Sequence, residues 1–210
     1  MATLFTAAAI LALGTAVLMR ARARFITFLF FVITVGASGW LVFFALMYSA
    51  VSQTHAIAFA RVAAAFSSIL PAATFHFAAT YVGRRRALRN VITFCWMFCS
   101  GIALLELATP YFVIGVRHFE WGYYPIGSIY NISWVVIFAG MFGTAIRMLW
   151  RAARTSDGTE RKRARSLVLA FSIAMLAMID FFPTLGFDVP PLGFIAILAF
   201  IAVATSAIWR

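Results

Sequence analysis

Seven stretches of the chain are apolar almost without interruption, and short polar segments separate them: 3–19, 25–50, 56–82, 91–109, 128–150, 166–185 and 192–209. Each is near the roughly 20 residues that a helix needs to cross a bilayer. All seven are predicted to be helices, because lipid offers no partner to an open backbone. The longest polar segment, RAARTSDGTERKRAR at 151–165, reads as a charged loop with too little apolar content to fold alone. The expectation is one domain over 1–210, an all-α integral-membrane bundle of seven helices.

Composition agrees with that reading and charge adds a direction to it. Of 210 residues, 64% are hydrophobic and only 11% charged, outside the range of soluble domains. A net charge of +11 would suggest nucleic acid in a soluble protein, but here the basic residues sit between the apolar runs. Arg20, Arg22 and Arg24 form one cluster, and Arg84, Arg85, Arg86 and Arg89 a second. Arg147, Arg151, Arg154, Arg161, Lys162, Arg163 and Arg165 form a third, and Arg210 closes the chain. With seven spans all of these fall on one side. The positive-inside rule makes that side cytoplasmic, with the N-terminus outside and the C-terminus inside, in a multi-pass membrane protein. The first apolar run carries its positive charge after it rather than before it, so it is read as a retained helix and not a signal peptide.

Within the membrane, Arg61, Glu106 and Asp180 lie about 5 to 8 Å inside the outer ends of their spans, counted at 1.5 Å per residue. A buried charge seeks a partner. Asp180 is therefore expected to face Arg61, with Glu106 as competitor or third member, either as a structural pin or as the polar floor of a pocket open to the outside. Pro71 and Pro183 interrupt the two helices that supply Arg61 and Asp180, and each is expected to free a carbonyl, Ser67 and Ile179 respectively, and to bend its helix. His76 lies nearer the cytoplasmic end and reads as a packing histidine. His55 and His118 are on the outer side, so no metal site is expected.

The outer segment PYFVIGVRHFEWGYYPIG, 110–127, mixes aromatics, Trp121 among them, with Arg117, His118 and Glu120. It is expected to lie on the membrane surface or to fold back as a lid. Trp40, Trp121, Trp150 and Trp209 read as interfacial anchors, and GASG at 36–39 and GMFG at 140–143 as small-residue packing sites. Cys95 and Cys99, one turn apart on one helix, are expected to be free thiols. No cofactor is expected. A retinal Schiff base needs a lysine, and Lys162, the only one, falls in a cytoplasmic loop.

Taken in order, FARVA around Arg61, LPAATFHFAATYVG at 70–83, TPYFVIGV at 109–116, EWGYYP at 120–125 and IDFFPTLGFDVPPLG at 179–193 resemble the N-terminal seven-transmembrane sensor region of bacterial histidine kinases. The resemblance spans nearly the whole chain. It implies a sensory input domain that passes an outer or intramembrane signal to a cytoplasmic output module such as a kinase. Arg61, Glu106, Asp180, His76 and Trp121 are the candidate residues for ligand binding or signal coupling. The seventh span closes the sequence in IWR, with no phosphoacceptor histidine or ATP-binding motif, so the output is expected in cis beyond an excised input domain or in trans on a partner. Besides that output domain, the expected partners are the lipid bilayer and, as an open option, a second copy of the chain; nucleic acid is not among them. The runner-up reading is a small-solute transporter or channel, and an intramembrane enzyme using Glu106 and Asp180 comes third.

Overall fold

A computed structural model describes residues 2–20 and 25–209. Arg22, Arg24, Arg210 and the side chain of Trp209 lie outside the described residues. The seven helices are α1 (Ala2–Arg20), α2 (Phe25–Tyr48), α3 (Gln53–Tyr81), α4 (Arg89–Ala108), α5 (Ile129–Thr155), α6 (Gly158–Leu176) and α7 (Gly193–Trp209). Six spans are long and apolar enough to cross a membrane, the sixth running from Gly158 to Leu185, and the helix from Gly193 is a shorter apolar one.

Local signals set several helix ends. The Ser52 hydroxyl accepts the His55 N–H at the start of α3, and Ser128 accepts from Tyr130 and Asn131 at the start of α5. At the end of α3, Gly83 takes φ 71°. There the Gly83 and Arg84 N–H groups return to the Thr80 and Ala79 carbonyls, a Schellman closure.

Two expectations about the connections are corrected. The 151–165 segment is helical nearly throughout: α5 continues to Thr155 and α6 begins at Gly158, leaving Ser156 and Asp157 as the joint. Charged residues are good helix formers where water solvates their side chains, so the helices run on past the bilayer. The sixth span, in turn, is not one kinked α-helix. It tightens into two 3-10 turns, Ala177–Phe181 and Pro183–Leu185, which end at Gly186 with φ 100°. Pro183 opens the second turn, and the Ile179 carbonyl that it was expected to free accepts the Phe182 N–H at 3.0 Å.

The other departure from an all-α chain is the outer segment. It forms an antiparallel hairpin, β1 (Val113–Phe119) with β2 (Gly122–Gly127), with a register shift between Val113 and Gly115. Val113 and Val116 on one face, and Phe119 and Tyr124 on the other, are buried. Of the two expected placements the hairpin takes the lid, packed across the ends of α2, α3 and α5.

Helix packing follows chain order for α1 to α4 and for α5 to α7. α3 also meets α5, and α7 returns to α1. Between α1 and α2 the Ser38 hydroxyl donates to the Ala7 carbonyl at 3.0 Å. The first small-residue motif behaves as expected, since a methyl on Gly36 would come within 2.8 Å of Leu70 on α3. The second does not: Gly140 and Gly143 have open space beside them. Trp40 is a further correction, buried in the core rather than held at an interface.

The second and third basic clusters meet at one end of the bundle, where Arg84, Arg147 and Arg151 line one groove. Arg85, after α3, lies 3.8 Å over the Phe25 ring at the start of α2, and Tyr81 shares a cleft with Glu160 of α6.

Candidate functional site

Beneath the hairpin lies a cavity in which the centre of a water-sized sphere can reach about 90 Å³. Its walls are made by stripes at helical spacing. Ala60, Ala64, Ser67 and Thr74 come from α3, and their small size leaves the space open. Trp40 and Phe44 of α2, Phe138 and Phe142 of α5 and Phe200 of α7 close the sides. Tyr124 and Pro125 of β2 form part of the roof.

Polar groups gather at the roofed end. Glu106 is 1% exposed, and its Oε2 accepts the Ser68 hydroxyl at 2.8 Å. Asn131 stands in the first turn of α5 and lines the cavity. Asp180 sits in the first 3-10 turn and is 5% exposed. Its Oδ1 accepts the Gly193 N–H at 2.7 Å. Gly193 opens α7, whose first N–H groups have no partner inside the helix, so a carboxylate from the preceding span serves as its cap. A side chain on Gly193 would collide with the Asp180 carboxyl group. The Asp180 backbone carbonyl accepts the Tyr124 hydroxyl, so this one residue ties the roof of the cavity to the start of the last helix.

The structure thus brings Glu106 and Asp180 to one cavity. It does not bring Arg61 to them. Neither carboxylate is ion-paired with Arg61 among the described residues, and the buried Arg61 Nε has no hydrogen-bond partner there. Arg61 follows Ala60 by one residue, which turns it about 100° away from the cavity wall.

Trp121 belongs to the roof. Its ring stacks on Phe119 at 4.8 Å and meets Tyr48 and Tyr124 edge-on, and its indole N–H donates to Asp188 Oδ1 at 3.2 Å. His76 is elsewhere, toward the arginine-rich end. Its Nδ1 accepts the Trp96 indole N–H at 3.1 Å, and its ring lies 5.2 Å from Phe25. Pro71 is buried within α3, on the stretch between Ser67 and Thr74. Cys95 and Cys99 are free and buried. No group of three or more His, Cys, Asp or Glu side chains suited to a metal ion occurs among the described residues.

Ser68, Tyr124, Asn131 and Gly193 are site residues that the sequence reading missed. Asn131 had a signal, as an amide within an apolar helix. Gly193 had a weaker one: the pair Pro190–Pro191 before an apolar helix leaves no local cap.

On the inner side the cavity is shut by rings. Phe77 lies 6.4 Å from Phe30 and 5.6 Å from Phe171, which in turn is 5.1 Å from Phe200. The site is therefore a blind apolar chamber with a few polar groups under an aromatic lid. It suits reversible occupancy by a small, largely apolar molecule with one or two hydrogen-bonding atoms. A family model described as the N-terminal 7TM region of histidine kinase matches residues 2–207. No curated protein matches the chain.

Proposed function

This chain belongs to the family of N-terminal seven-transmembrane regions of histidine kinases, and from that premise we propose that it is a membrane-embedded input domain that detects a small apolar ligand in the chamber and reports it through α7. The family's region is sensory and associated with a cytoplasmic output domain, and the chain is a multi-pass membrane protein. We place the hairpin outside and the arginine-rich end in the cytoplasm of a bacterium, by the distribution of basic residues. The output module acts in cis or in trans.

One observation carries the reading: Asp180 joins the Tyr124 roof to the Gly193 end of α7. A ligand changes output only by binding two conformations unequally. A molecule seated against Tyr124, Asn131 and Glu106 has that opportunity, since moving the roof shifts the Asp180 carbonyl and with it the carboxylate that holds α7. The first residues of α7 are then free to tilt, and the tilt is carried along a helix packed on α6 and α1.

The test joins the chain to its cytoplasmic kinase module in lipid vesicles and reads autophosphorylation. Ala64→Leu, which fills the chamber, and Gly193→Ala, which disturbs the Asp180 cap, should each change the basal rate by about threefold or more, equivalent to ~0.7 kcal/mol on a two-state equilibrium. The control Leu169→Ala, on the exposed face of α6, should leave it alone. Three folded variants with the wild-type rate would sink the proposal.

A further inference from the structure

We propose that the groove between the ends of α3 and α5 at the arginine-rich side is a binding site for the phosphate headgroup of an anionic glycerophospholipid, held by Arg84, Arg147 and Arg151. The three guanidinium-bearing residues line one groove, with room for about 270 Å³ of water-sized sphere centres. Arg147 and Arg151 stand one turn apart on α5, and the Schellman closure at Gly83 fixes the Arg84 backbone opposite them.

Two neighbouring arginines are taken up by aromatic rings. Arg85 is placed over Phe25 and Arg154 over Trp150, at 3.8 and 4.3 Å. The side chains of Arg84, Arg147 and Arg151 make no ion pair, hydrogen bond or ring contact among the described residues. Three like charges converging on one groove repel each other unless an anion lies between them. Guanidinium groups suit phosphate oxygens, which they can grip through paired N–H donors. A topological bias toward basic residues explains why arginines are found at this end, but it does not require three of them to share a groove unpaired.

The other walls point to a lipid as the source of the phosphate. Phe75, Leu88 and Met148 give the groove an apolar side. From there, exposed apolar side chains continue outward along α4, with Val91, Phe94 and Met97 as the first. A headgroup among the arginines would leave its acyl chains against that surface, at the depth where helices leave the bilayer. An adjoining cleft shares Arg84, Met148 and Arg151 and adds Tyr81, Thr155, Ser156 and Glu160. The Tyr81 hydroxyl is buried there without a partner among the described residues. Glu160 disfavours a second negative charge in that cleft, whereas the hydroxyls of a glycerol headgroup find both donors and acceptors. The chemistry therefore matches a phosphodiester with a polyol head better than a free phosphate.

Native mass spectrometry of the detergent-purified chain, with phosphatidylglycerol and phosphatidylethanolamine as probes, tests the assignment. Phosphatidylglycerol should be retained about tenfold more strongly than phosphatidylethanolamine, and Arg147→Gln with Arg151→Gln should abolish most of that preference. The equally charge-reduced pair Arg161→Gln with Arg165→Gln, on the exposed surface of α6, should keep it, with unchanged thermal unfolding in both pairs. Equal loss in the two pairs, or no preference in the wild type, would overturn the proposal. Glycerol 3-phosphate should fail to displace the lipid; displacement would reassign the groove to a soluble phosphate ester and overturn the lipid assignment.

Discussion

Asp180 is acceptor to the first N–H of α7, and its charge faces a helix N-terminus rather than an arginine. Asp180→Ala removes that acceptor and should lower stability by about 1 to 2 kcal/mol, the range for a lost helix cap. Asp180→Asn keeps an oxygen in place and should cost less than half as much. Combined with Arg61→Gln, it should be additive within about 0.5 kcal/mol. Thermal unfolding of the wild type and the four variants in one detergent measures all three quantities, and a coupling well above that limit would restore the ion pair that the sequence suggests. Matched depth along the chain suggests an Arg61–Asp180 pair, whereas the structure joins Asp180 to Gly193, for a geometric reason. Counting residues along a helix fixes height to within a turn, whereas which face a side chain takes depends on how its helix is rotated against its neighbours. Arg61, one position past the cavity-lining Ala60, is on the wrong face.

At the scale of the element, the hairpin is the part that pattern reading lost. Regular alternation would have placed Val113 and Val116 on opposite faces, but the shift between Val113 and Gly115 turns both inward. Phe119, three places after Val116 in regular register, falls on the other face and is buried too, so burial along β1 shows no period of two. The same hairpin depends on Gly122, whose φ of 128° excludes ordinary side chains and whose added methyl would lie 2.5 Å from the Tyr48 carbonyl oxygen. Gly122→Ala should destabilise the lid by about 1 to 3 kcal/mol. Hydrogen exchange should quicken across 113–127 and stay at the wild-type rate within α1. Gly83→Ala, at a positive φ with open space beside it, is the comparison, and its effect should stay at the end of α3. The 3-10 stretch after α6 shows the converse: Pro183 was legible as a break, yet the tightening begins at Ala177, six residues earlier, where no breaker stands. Its cause is tertiary, since this turn presents Asp180 to both Tyr124 and Gly193.

For the molecule as a whole, the proposed orientation makes a direct prediction. Cysteines placed at Glu120, beside the hairpin turn, and at Asp157, in the α5–α6 joint, should react with a membrane-impermeant maleimide from opposite faces, Glu120 from outside and Asp157 from the cytoplasm. Cys95 and Cys99, at 8% and 0% exposure, should stay silent as background. The layer of Phe30, Phe77, Phe171 and Phe200 bears on the rival transporter reading, because a solute leaving the chamber inward would have to part four buried rings. The apolar runs and arginine clusters alone determined seven helices, their order and a shared basic end, because lipid and water impose those features on any chain of this pattern. Only the tertiary structure decided where Arg61 points, that the outer segment pairs as a lid, and that Asp180 holds α7. Those outcomes depend on helix rotation and on contacts between residues 13 to 67 positions apart, which no local pattern encodes.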